Sequence, residues 1–503
     1  MRSKQEEALY LGLLLAAFLT LYAPFAWKPV HIDDANFLML AEGAAQDPWR
    51  PHSISINWSG MTEPAFDILS NPPGIAWYLA PVRNSPEWVL HLWMLPWLIL
   101  AGWGCWMLGD VYNNGHAFMS MLFLLTCPVV VLAAQALTPD LPLFACITAG
   151  IGGIVSEKKN KVAFALLAGC AALFRYSGGI VIPILCLIGW RKHGWKGAAF
   201  GLLSALPIGI LCLHDLHAYG KIHLFEMLFV QNDPDQKTFY RSLGNVVAGM
   251  AMLGGACLLP VSIWRKEAIA GAIIGAGVGV NAAYFSGQTV AGAIPTILCT
   301  AAGCGAIALA FAPKVREEVL STWTIIGTLF FFVVRFAATR YWLAFLPGIG
   351  LLALRNMRGH PYWFACALTV NFAFSWLLAV DDYKFANAHK TAANRVVSYG
   401  TGNFSGHWGW QHYLEKQGWE AMEKGAKPAE LHARSQAAAQ QAPDISFQLD
   451  LVETFEIEDD WPGPRVHAPF GQASYHAGGH RTFAPWTLSD EPYDVVFLYR
   501  LSD

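Results

Sequence analysis

Hydrophobic positions in this chain cluster in runs of bilayer length, separated by short polar stretches. Apolar runs fall near residues 8–27, 87–108, 117–136, 141–155, 162–174, 177–190 and 198–216. More follow near 244–263, 268–285, 291–312, 319–335, 341–354 and 361–380. A hydrocarbon core of roughly 30 Å takes about 20 apolar residues of helix, and several runs reach that length. The pattern predicts a polytopic α-helical membrane protein with about 13 transmembrane helices. Two polar regions interrupt it. Residues 28–86 form a first external loop within a membrane module spanning 1–380. Residues 381–503 form an external C-terminal α/β domain. There the periodicity predicts helices over 382–397 and 412–424, and strands over 445–457 and 495–501. An Ala/Gln-rich stretch, 433–442, reads as a surface helix or linker.

Charge orients this picture. Arg2 and Lys4, Lys158 to Lys161, Arg191 to Lys196, Arg265 with Lys266, Lys314 with Arg316, and Arg355 with Arg358 all fall at one side. The positive-inside rule places that side, and the N-terminus, in the cytoplasm. The 109–116 turn belongs there too but carries no Lys or Arg. The C-terminal domain and the first loop are then external, periplasmic if the membrane is a bacterial inner membrane. Glu6 and Glu7 before a long first run read as a retained anchor, not a cleaved signal. Composition agrees: 55% hydrophobic, 14% charged, net charge −3, which offers no basic nucleic-acid surface. All ten cysteines lie between Cys105 and Cys366, inside the apolar part, and no zinc-type Cys cluster exists.

The candidate chemistry lies on the external side. Asp33 and Asp34 follow the first apolar run, and Asp34 also suits the start of a helix over 34–45, with Phe37, Leu38, Leu40 and Ala41 able to lie on the membrane surface. In Asn71-Pro72-Pro73-Gly74 two prolines hold Asn71 extended. Thr138-Pro139-Asp140-Leu141-Pro142 pins a lone acid between apolar helices. Arg175-Tyr176 and Arg340-Tyr341 bring two guanidinium groups to external turns, with Arg335 nearby. Each motif has an ordinary reading as a cap, a turn or a snorkelling anchor. Together, carboxylates suited to deprotonating a hydroxyl and arginines suited to a phosphate describe a reaction on a lipid phosphate. Asp33 would be the base and Asp34 its neighbour, with Arg175 and Arg340 neutralising phosphate. His214, His217 and His223 read as interfacial, and Gly406-His407-Trp408-Gly409-Trp410 as a structural corner.

In order and placement these motifs resemble those of GT-C glycosyltransferases, closest to protein O-mannosyltransferases and the aminoarabinose transferase of lipid A. Asp33-Asp34 is similar to the Asp-Glu signature of their first external loop, Asn71-Pro72-Pro73 to Lys-Pro-Pro, and Asp140 to the second-loop acid. Phe174-Arg175-Tyr176-Ser177-Gly178 and Arg340-Tyr341 also match family positions. The resemblance implies inverting transfer from a polyprenyl-phosphate sugar to a glycan, lipid or protein hydroxyl, with catalytic Asp33, Asp34 and Asp140. It implies a donor-phosphate set of Arg175, Tyr176, Arg340, Tyr341 and Asn71. Asn36 and Asn71 stand where aminoarabinose transferases carry Arg and Lys, which implies an unfamiliar donor or acceptor. No cofactor is called for, and a divalent metal is left open, since relatives differ in this. The alternatives are a transporter of lipid-linked sugars, whose charges belong at the bilayer midplane, and an inactive relative serving as a scaffold.

Overall fold

The computed structural model describes residues 4–58, 60–231, 239–257, 265–438, 448–468, 472–477 and 482–502. Helix covers every apolar run, but not at bilayer length in every case. Among the described residues, six helices are long and apolar enough to cross a membrane: Ala8–Phe25, Glu87–Tyr112, Ala199–Tyr219, Lys266–Phe285, Val290–Phe311 and Pro361–Val397. A seventh span arises if Ala117–Leu125 and Pro128–Ala134, bent by 67°, are taken as one. Pro128 lacks an amide hydrogen and cannot continue the preceding helix, which breaks there.

The count of 13 crossings is therefore not matched among the described residues. Asp140–Val155, Lys161–Phe174 and Glu318–Phe330 are apolar but shorter. Leu346–Met357 has 12 residues, about 18 Å of rise against a core of roughly 30 Å. Residues 339–344, which the hydropathy pattern assigns partly to this span, form a 3₁₀ turn instead. That turn carries Arg340 and Tyr341, so apolar sequence is diverted from a span into building a site. The end of the 244–263 run lies outside the described residues.

Helix termini separate two ends. Asp140 begins the helix Asp140–Val155, and Lys158 follows its far end. Likewise Arg340 precedes Leu346–Met357, with Arg355 in its last turn. At that far end Lys192 donates to the Val155 carbonyl (2.9 Å), while Arg355 and Arg358 donate to Tyr112 O (2.8 Å) and Asn113 Oδ1 (3.2 Å). The 109–116 turn, which has no Lys or Arg of its own, thus takes its positive charge from the Arg355–Arg358 segment.

The first loop folds on the protein, not on a bilayer surface. Phe37, Leu38, Leu40 and Ala41 of the helix Asp34–Gln46 are buried, packed toward the helix Gly74–Leu79 that follows the two prolines. Their apolar stripe was complementary to either environment; the core claimed it. Pro361–Val397 runs unbroken for 37 residues across the hydropathy change at 380. Beyond it lies a five-stranded sheet in the order 420–421, 403–405, 431–435, 494–501, 449–457. The first three strands are parallel, and 494–501 pairs antiparallel with both its neighbours. Residues 431–435, expected as part of a surface helix or linker from 433, are a largely buried inner strand; residues 439–442 and 445–447 lie outside the described part. The helix expected over 412–424 is Trp408–Glu415, ending before a short strand at 420. Gly409 shows why this corner is glycine-rich: a Cβ there would sit 2.4 Å from the Val30 carbonyl. The C-terminal region is thereby pressed against the segment that leads into Asp33.

Candidate active site

The two adjacent carboxylates are turned apart. Ile32 has a φ of 43°, a left-handed conformation that a β-branched residue adopts only under strain. Past this kink Asp34 points inward, with no exposed surface, and accepts hydrogen bonds from the amides of Leu137 (2.8 Å) and His31 (3.2 Å). Both its oxygens are occupied, so it fastens the first loop to the turn before Asp140. Asp33 faces open space and is 26% exposed. Of the pair, only Asp33 lines the large cavity described below.

Burial pushes Asp34 up to about 7. The fold therefore favours the protonated acid. This stabilisation is complete below the unfolded value, about 4, and is lost as pH rises to about 7. Asp34→Asn should flatten the dependence of the thermal midpoint on pH across that window, measured by differential scanning fluorimetry in detergent.

Asp33 and Asp140 are joined by arginines. Arg340 donates from Nη2 to Asp33 Oδ2 (2.9 Å) and from Nη1 to the His476 carbonyl (3.1 Å). Its Nε lies 3.9 Å from Asp140 Oδ2. Arg175 donates to Asp140 Oδ1 (2.9 Å), and its guanidinium lies 5.0 Å from the centre of the Tyr341 ring. A buried acid such as Asp140 persists only when paired, and here the alternation of two acids and two arginines supplies the pairing. The Tyr176 hydroxyl meets His223 Nδ1 at 2.6 Å. Burial pushes His223 down to about 4, leaving it neutral; Nε2–H donates to the Leu69 carbonyl (2.9 Å), so Nδ1 accepts from Tyr176. His52 donates to the Asn71 carbonyl (3.1 Å) and fixes that loop.

These groups open on a cavity of about 1170 Å³. Asp33, Asn71, Arg175, Tyr176, Arg340 and Tyr341 line one part. Phe330, Val333, Val334 and Phe336 make an apolar stretch, and Trp58, Trp408, Gln436 and His467 a polar aromatic one. Trp408, at a φ of 64°, thus belongs to the cavity wall and not merely to a structural corner. Asp34 and Asp140 line a neighbouring cavity of about 40 Å³ that shares Asp33, Arg340 and His476.

No protein-family model matches the chain, and no curated protein matches it. In overall shape the chain is similar to two crystal structures of ArnT from Cupriavidus metallidurans. One, bound to undecaprenyl phosphate, has a TM-score of 0.49 at 14% identity and covers 99% of this chain and 98% of that one. The apo form has a TM-score of 0.46 at 12% identity, with 98% of each chain covered.

Sequence reasoning missed a second cluster. Asp382, buried in the long helix, pairs with Lys28 through Oδ2, while His31 and His476 donate from Nε2 to its Oδ1 at 3.2 and 3.0 Å. Lys28 and His31 flank the first span and were legible only as interfacial residues; Asp381-Asp382 repeats the adjacent-acid signal of Asp33-Asp34 and was the available clue. Of the other histidines, His214 pairs with Asp215 (3.2 Å). Asp233, Asp235 and Lys237, in the polar stretch 216–243 that follows His214, lie outside the described residues.

Proposed function

We propose that this protein is an inverting glycosyltransferase that takes a sugar from a polyprenyl-phosphate donor and passes it to an acceptor hydroxyl at the outer membrane surface. The observation that carries this reading is one cavity whose wall joins an accessible carboxylate, Asp33, to guanidinium groups and to an apolar stretch. A prenyl chain suits the Phe330–Phe336 side, the phosphate the arginines, and the sugar with its acceptor the aromatic and amide groups at Trp58, Trp408 and Gln436.

Arg335 adds a specific element. It is exposed on the cavity wall and has no ion-pair partner among the described residues, whereas Arg175 and Arg340 are held by carboxylates. Arg335 is the cation available to an arriving phosphate. A phosphate seated beside it competes for Arg340, freeing Asp33 Oδ2 to accept the acceptor's proton. The leaving phosphate monoester is already a stable anion and needs no general acid. The work of the site is then to orient the hydroxyl, remove its proton and stabilise charge on phosphate. Asp140 holds Arg175 and approaches Arg340, and Asp34 holds the loop; neither needs to exchange a proton.

Native mass spectrometry in nanodiscs supplied with polyprenyl phosphate tests the donor side. Wild-type protein should retain the lipid, and Arg335→Ala and Arg340→Ala should each weaken retention about tenfold or more, the scale of one charge-assisted hydrogen bond. Retention insensitive to all of Arg175, Arg335 and Arg340 would refute phosphate recognition here. Transport of intact lipid-linked sugar across a proteoliposome membrane, without sugar transfer, would favour the transporter alternative.

A further inference from the structure

The strongest unassigned feature is the convergence of His31, Asp382 and His476. They come from three separate parts of the chain: the segment after the first span, the long helix 361–397, and the C-terminal region. One ligand atom from each lies within 4.8 Å of the others. Both His Nε2 atoms stand 3.0–3.2 Å from the same Asp382 oxygen. Ligand atoms around a tetrahedral ion with bonds of about 2.0 Å are separated by roughly 3.3 Å, so little movement would be needed to admit one.

We infer that His31, Asp382 and His476 form a binding site for a divalent transition metal of the zinc type.

Three observations support the assignment. The donor set is two imidazoles and one carboxylate, which suits zinc and its neighbours and not magnesium or calcium, whose ligands are oxygens. The three residues line the cavity of about 40 Å³, which exceeds the roughly 10–15 Å³ that one water or small ion needs. Lys28 occupies Asp382 Oδ2 and leaves Oδ1 to the histidines, orienting the carboxylate as the outer partner of a metal ligand does. His476 is 19% exposed, which leaves a side for exchange and for a water as fourth ligand.

The metal would pin the C-terminal region to the mouth of the site. His31 lies two residues before Asp33, and the His476 carbonyl receives Arg340. Its role is positional, and it does not depend on the transferase reading.

The test uses the full-length protein, purified on a tag that does not bind metal, stripped with EDTA and titrated with Zn2+ and Co2+. Metal content is read by inductively coupled plasma mass spectrometry, and coordination by the visible spectrum of the Co2+ form. About one ion per chain is expected in the wild type. Asp382→Asn and His476→Ala should lose it, and His214→Ala, in the separate pair with Asp215, should keep it. Lys28→Met separates a metal site from a plain ion-pair cluster. With a metal to neutralise Asp382, this variant still binds one ion, and Zn2+ raises its thermal midpoint. Substoichiometric binding in the wild type, or binding that survives both Asp382→Asn and His476→Ala, overturns the inference. So does a Lys28→Met protein whose midpoint ignores Zn2+.

Discussion

Asp33→Asn should slow sugar transfer by about 10²–10⁴-fold, the usual contribution of a general base, while the protein stays folded and keeps polyprenyl phosphate. The substitution preserves size and leaves an amide oxygen to accept the Arg340 hydrogen bond now made to Asp33 Oδ2. It removes only the capacity to take a proton. Asp34→Asn provides the contrast. Asp34 is sealed from solvent and spends both oxygens on backbone amides, so its replacement should act on stability and its pH dependence. Turnover of a polyprenyl-phosphate hexose, measured as released polyprenyl phosphate with and without acceptor, reads the difference. Unchanged turnover in Asp33→Asn alongside lost turnover in a well-folded Asp34→Asn protein would reverse the roles assigned to the two acids.

Asp381→Ala should destabilise the protein by about 3–5 kcal/mol, the cost of leaving a buried charge without its partner. Asp381 is fully buried; it accepts from the Tyr493 hydroxyl (2.5 Å) and the Val466 amide (2.6 Å) and lies 3.5 Å from Arg465 Nε. Arg465 is itself 1% exposed, and its guanidinium lies 3.6 Å from the centre of the Tyr493 ring. Removing the carboxylate leaves this guanidinium with the Glu491 carbonyl (2.7 Å) but no counter-charge, where water does not reach. Replacing both partners, as Asp381→Ala with Arg465→Met, removes the stranded charge and should recover a large part of the loss. Hydrogen exchange should show faster opening of residues 464–468 and 493–498 in the single variant than in the double. Equal stability of the single variant and the wild type would mean that Arg465 is solvated or paired in another way.

These two acid pairs mark where sequence reasoning reached and where it stopped. Adjacent carboxylates at the mouth of a span were visible at Asp33-Asp34, because like charges there need a purpose or water. That one faces the cavity and its neighbour faces the protein was not visible, since it depends on a backbone kink at Ile32 and on the distant Leu137 amide. At Asp381-Asp382 the same signal went unread. The partners Lys28, His31, Arg465 and His476 lie far away in sequence, and nothing local names them. Arg175 and Arg340 were legible as cations at external turns. Their pairing with Asp140 and Asp33 was not, because those acids lie far away in sequence.

The sequence by itself determined the alternation of apolar helices with polar segments, the two chemically distinct ends and the candidate acids and arginines. Those follow from composition and periodicity, which act over tens of residues. Tertiary structure decided which apolar runs are long enough to span, because prolines and the 3₁₀ turn at 339–344 redirect the chain. It also decided that the helix at 34–46 packs inward, that residues 431–435 join a sheet, and which acid of each pair faces a cavity and which a partner within the protein. Such choices rest on contacts between residues up to several hundred positions apart, and periodicity carries no record of them.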